Sequence, residues 1–104
     1  MTILARDSIN EDLIQAASPT GTTQTITTSG SSAATSSGVA TSTRVVRIVT
    51  TEDCHIAFAT SPTATTSGPF LPAKQVEYFK ITGGDKVAAI QSSTAGTVYV
   101  TEME

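Results

Sequence analysis

The stretch "EDCHIAFATSPTATTSGPFLPA" holds the chain's one cysteine and its one histidine side by side, as Cys54 and His55. An imidazole that stabilises a thiolate turns cysteine into a strong nucleophile, so this pair is the first candidate for chemistry. Neighbours in sequence part company in a strand, however. If "CHIAFA" is extended, Cys54, Ile56 and Phe58 point to one face while His55, Ala57 and Ala59 point to the other. The apolar residues beside Cys54 and the turn-forming "TSPTATTSGP" that follows both favour the strand. No second histidine exists to take the role. The expectation is a structural pair, with Cys54 a small buried hydrophobe and His55 a face or edge residue.

Glycoside hydrolysis would need two carboxylates across a cleft, for which Asp53, Glu77, Asp85 and Glu102 are available. Three of these four sit in or beside expected turns or at the chain end, where acids are ordinarily just solvated. Glu77 could instead pair with Lys80, or with Arg47 across a sheet. "TGGDK" at 82–86 has glycines but neither the length nor the Lys-Ser/Thr ending of a phosphate loop, and reads as a tight hairpin turn. No grouping of Cys, His and carboxylates has the spacing of a zinc or calcium site, and one cysteine cannot make an internal disulfide. The chain is therefore expected not to be an enzyme and to carry no catalytic residue, cofactor or metal.

The elements that would position any site follow from the texture of the chain. Its 104 residues allow one modest domain, and 32 of them are Ser or Thr, with no Trp. The net charge of -3 is small and the six Lys and Arg residues are scattered, so a footprint for nucleic acid or anionic membrane is not expected. The opening "MTILARDSINEDLIQAAS" has acids where a signal peptide would be apolar, and no run approaches the roughly 20 apolar residues of a spanning helix. The expectation is a protein used without secretion or anchoring of its own.

Residues 1–42 read as an N-terminal arm. Within it Ser8 and Glu11 have capping-box spacing for a short helical turn, and "TTQTITTS" alternates β-branched residues around Ile26, which suits a polar strand at about 23–29. The surrounding Ser and Gly equally suit a flexible linker, with loops at Gly21, Gly30 and Gly38. From residue 43 onward "RVVRIVT", "CHIAFA", "VEYFKI", "KVAAIQS" and "GTVYVTEM" are β-branched runs separated by short turn signals. They predict an all-β fold, a small antiparallel β-sandwich or jelly-roll-like barrel, over 43–104. Its core is expected to rest on Val46, Ile48, Phe58, Phe79, Ile90 and Val98. "VEYFKI" puts Val76 and Tyr78 on one face and Phe79 and Ile81 on the other, which suggests that parts of both faces are covered.

A thin core with five aromatics leaves edges and apolar surface for another subunit to complete, so a homo-oligomer, such as a trimer, is expected. The candidate partner-binding residues are Ile26, which could order the arm beside another strand, Phe70 and Leu71 of "PFLP", and Tyr78. The "PFLP" segment either tucks back under the sheet or plugs a neighbour's groove. Tyr78 could also offer its ring to a sugar, as could Tyr99, although such surfaces use several aromatics. Core or interface packing is the better expectation for Tyr78, Phe79 and Tyr99.

The order of motifs "CHIAF", "SPTAT", "LPA", "VEYF", "GDKVAAIQ" and "GTVYVTEM" resembles a group of short proteins encoded among the virion structural genes of tailed bacteriophages. The resemblance covers about residues 43–103. It implies a β-rich particle component without enzymatic activity, a capsid decoration or cement protein on the virion surface whose partners are the major capsid protein and copies of itself. Alternatives are a head-tail connector, a tail or fibre-associated component, or a small carbohydrate-binding adhesion module.

Overall fold

The alternation that marks each run acts through the two-residue period of a strand, which places one set of side chains inward and the other outward. In "VVRIVT" Val46, Ile48 and Thr50 are buried while Val45, Arg47 and Val49 are not. In "TVYVTEM" Val98, Val100 and Glu102 are buried and Tyr99 is exposed. A computed structural model describes residues 22–103 with their side chains, together with the backbone strand assignments of residues 5–6, 13–14 and 19–21.

The strands in chain order are β1 (Ala5–Arg6), β2 (Leu13–Ile14), β3 (Pro19–Thr27), β4 (Ala33–Ala34), β5 (Val45–Thr50), β6 (Cys54–Ala59), β7 (Phe70–Leu71), β8 (Glu77–Lys80), β9 (Lys86–Gln91) and β10 (Thr97–Met103). The first two pair with each other. The other eight form two four-stranded antiparallel sheets, ordered β3-β10-β5-β8 and β4-β9-β6-β7. The pairs β3 with β10, β4 with β9, β5 with β8 and β6 with β7 are those of one long antiparallel ribbon whose tip is the β6–β7 connection. Rolling that ribbon up adds the contacts β10 with β5 and β6 with β9. This is the jelly-roll topology, and the expected all-β sandwich is the observed fold. No helix is found among the described residues.

Rolling changes the meaning of the turn signals. "TGGD" joins β8 in one sheet to β9 in the other, so it is a crossover between layers and not the hairpin turn expected from its glycines. Its geometry is tight nonetheless. The Asp85 N–H donates to the Thr82 carbonyl at 3.0 Å, and Gly84 has φ of 90°, the left-handed conformation that the third residue of a type II turn requires. At Gly83 a Cβ would lie 2.2 Å from the Thr41 carbonyl oxygen, so only glycine lets these two segments meet. "TED" and "STAG" likewise connect strands of opposite sheets.

The core between the layers is built from Ile26, Val39, Val46, Ile48, Cys54, Ile56, Leu71, Ile81, Val87, Ala89, Val98 and Val100. Of the expected core residues, Val46, Ile48 and Val98 are fully buried. Phe58 and Phe79 are half-buried and lean on the cluster, with ring centroids 5.4 Å apart. Ile90 is the exception. It stands opposite His55, one step out of phase with Ala89, and so lies on the outer face of its sheet. Val76 and Tyr78 are exposed, so the outer side of "VEYFKI" is not covered as expected.

Residues 22–42, expected as part of an arm, are built into the sandwich. β3 is an edge strand that pairs with β10 and sends Ile26 inward; Thr28, just past its end, is buried too, and Val39 joins the core. Thr28 is held at both ends, its N–H and hydroxyl donating to the Gly96 carbonyl and its Oγ1 accepting from the Gly96 N–H. The helical turn expected around Ser8 and Glu11 lies outside the described residues except for Leu13–Ile14, which are strand.

Glu102 fastens the next segment. Its buried carboxylate accepts from the Thr43 hydroxyl at 2.6 Å and from the Ala40 N–H at 2.9 Å. Removing it leaves two donors unsatisfied around residues 40–43. We expect Glu102→Ala to lower stability by about 1.5 to 3 kcal/mol, the range for hydrogen bonds to a charged group, as read from denaturant midpoints.

Candidate functional site

The strand period separates the cysteine from the histidine. Cys54 points into the core at 0 % exposure beside Ile56, and His55 faces outward. The His55 Nδ1–H donates to the Gly68 carbonyl at 2.9 Å, which fixes the ring against the loop before β7. Its ring meets Phe70 edge-on, centroids 5.4 Å apart. Burial pushes the Cys54 thiol above its ordinary pKa, opposed by a hydrogen bond with Thr50 and reinforced by nearby Asp53. A thiol held neutral and buried has no access to substrate.

The same shift sets a pH dependence. The unfolded thiol ionises first as pH rises, so above about pH 8.5 the unfolded state holds fewer protons and stability falls with pH. Cys54→Ala should remove this alkaline loss and cost roughly 1 kcal/mol at neutral pH, measured by chemical denaturation across pH 7–10. The native thiol should resist alkylation until the protein unfolds.

The four candidate acids sit in separate settings. Asp53 accepts from the Ala73 N–H at 2.7 Å, Asp85 from the Thr60 hydroxyl at 3.4 Å, Glu102 serves the 40–43 turn, and Glu77 is exposed at the start of β8. Glu77 stands opposite Ile48 rather than Arg47, whose cross-strand neighbour is Tyr78. Among the described residues, no three His, Cys, Asp or Glu side chains group as metal ligands, and no helix is long and apolar enough to cross a membrane. An open depression lined by Thr41, Arg44, Lys80, Ile81, Thr82 and Gly83 lies at one end of the first sheet. Arg44 there is occupied with the Thr41 and Thr43 carbonyls.

The feature with the most capacity for recognition is the outer face of the first sheet. Register aligns Thr25, Tyr99 and Val49 in one row and Thr23, Thr101, Arg47 and Tyr78 in the next. Tyr78 and Tyr99 are 58 % and 41 % exposed. They stand two strands and one row apart, about 12 Å by strand spacing and rise. The Thr23 and Thr101 hydroxyls bond to each other at 3.0 Å, which ties β3 to β10 across this face.

Of the four residues singled out from sequence, Tyr78 belongs to this face and Phe70 is 50 % exposed on the opposite sheet, against His55. Ile26 and Leu71 are buried in the core, which corrects their assignment as partner contacts. Leu71 is opposite Cys54, so "PFLP" tucks under its own sheet. Tyr99, weighed from sequence as core, interface or sugar platform, faces outward because it alternates with buried Val98 and Val100. Arg47 and Thr25, on the same outer face, were not singled out from sequence, although the alternation in "RVVRIVT" and "TTQTITT" marks them as outward-facing. Comparison with protein families, with curated proteins and with solved structures finds no match to this chain.

Proposed function

We propose that this chain is a structural component of a tailed-phage virion, a capsid decoration protein that binds the outside of the shell and reinforces contacts between major capsid subunits. The observation that carries the reading is the outer sheet face with Tyr78, Arg47 and Tyr99 among threonines. Tyrosine and arginine are among the residues that most often anchor protein interfaces, and a broad sheet face suits attachment better than turnover of a small substrate. Two further points support it. The order of strand motifs resembles small phage structural proteins, and the jelly roll recurs in viral capsid domains, although one fold hosts many functions. Many copies on a lattice would multiply weak single contacts into durable attachment.

The direct test is binding of the purified protein to isolated capsids. Saturable binding that Tyr78→Ala, Tyr99→Ala and Arg47→Ala each weaken, with melting temperature retained, supports the proposal. Wild-type protein that fails to bind capsids contradicts it and leaves the connector or tail position. A second reading follows from the same two tyrosines, since jelly rolls also serve as lectin domains and exposed rings stack on sugars. Glycan binding lost with either ring, in protein that ignores capsids, would favour that reading.

A further inference from the structure

The sandwich has four edge strands, and three carry the devices that keep edges from pairing. β8 has four residues and is charged at both ends, by Glu77 and Lys80. β7 has two residues between Pro69 and Pro72, and β4 has two residues. β3 has nine residues and no charge. Short length, charge and proline are how natural sheets blunt their edges, and β3 has none of these over its regular part, Thr23 to Thr27.

The direction of its free backbone groups follows from its ladder. The Thr28 N–H bonds to the Gly96 carbonyl just ahead of β10, and the two-residue period then turns Ile26 and Gln24 toward β10 as well. The N–H and carbonyl groups of Thr23, Thr25 and Thr27 therefore point away from the sheet. No described residue bonds to them. Ahead of Thr23 the register with β10 shifts, which ends the regular edge there.

We propose that this edge is a self-association site, where β3 of a second copy of this chain adds antiparallel across a two-fold axis through Thr25. The strand is its own complement. Thr25 meets Thr25 of the second copy and Thr23 meets Thr27, giving three hydrogen-bonded pairs and about six backbone hydrogen bonds. Opposed threonines are favourable cross-strand neighbours, and the absence of charge means that bringing two identical strands together sets no like charges against each other. The pairing would join two four-stranded sheets into one of eight and double the outer face that carries Tyr99 and Tyr78. The inference stands on the strand edge alone, so its failure would leave the virion proposal untouched.

The test is site-specific oxidation of the full chain. Directly opposed residues of a hydrogen-bonded pair lie about 5.5 Å apart at Cα, within disulfide reach. Thr25→Cys should give a covalent dimer under mild oxidation, while Thr23→Cys and Thr27→Cys alone form no cross-link and mixing them restores it. Buried Cys54 should give none in the wild type. Light scattering should then find a wild-type dimer that Thr25→Pro converts to a monomer. Proline there removes only an outward N–H, so circular dichroism should be unchanged, and Thr25→Lys offers a second variant should the proline unfold the chain. Equal cross-linking at all three positions, cross-linking at none, or a dimer that persists in Thr25→Lys would overturn the proposal.

Discussion

Deletion of residues 1–40 is expected to abolish cooperative folding. Those residues read from sequence as an arm that the β-domain could spare, yet they supply β3, β4 and Val39, and with them one edge of each sheet. Without β3, Val98 and Val100 lose Ile26 as their cover and β10 becomes a bare edge. Loss of Ile26 alone, tested as Ile26→Ala, should cost about 2 to 5 kcal/mol. A small domain has only about 5 to 15 kcal/mol to lose, so removal of the whole segment exceeds the margin. Thermal unfolding followed by circular dichroism checks this. A truncated chain that still melts sharply near the full-length temperature would show that β3 is dispensable.

The second large effect concerns two neighbours in "PFLP". Leu71→Ala should destabilise by about 2 to 5 kcal/mol, because Leu71 is fully buried opposite Cys54 and its removal opens a cavity between the layers. Phe70→Ala, one residue earlier and half-exposed against His55, should stay within about 1 kcal/mol. Denaturant midpoints of the two variants give the comparison. Equal costs, or a larger one for Phe70, would mean that the segment does not tuck under its sheet as described.

Much of this fold was legible because the period of a strand is written directly in residue types. "CHIAFA" begins and ends where β6 does, and the runs for β5, β8, β9 and β10 differ from their strands by a residue at one or both ends. Alternation also separated Cys54 from His55 and set Phe79 against Tyr78. It does not say which strands pair, since a short connection can close a hairpin or cross between layers, and "TGGD" and "STAG" do the latter. The same limit explains Ile90, whose apolar side chain suits either face of β9 because neighbouring Ala88 and Ala89 are both buried. Ile26 was hard to place for a different reason. One aliphatic residue among threonines carries too little pattern to distinguish a sandwich edge from an arm, and only the cover it gives to β10 decides it. The outer face was legible residue by residue as outward-facing positions, but its rows exist only once register aligns three strands.

The claim that most needs testing is that this chain decorates a capsid, and copy number tests it most directly. If it does, gel quantification against the major capsid protein in purified particles that contain the chain should give a ratio near one to one. A ratio corresponding to about a dozen copies per particle would contradict the account.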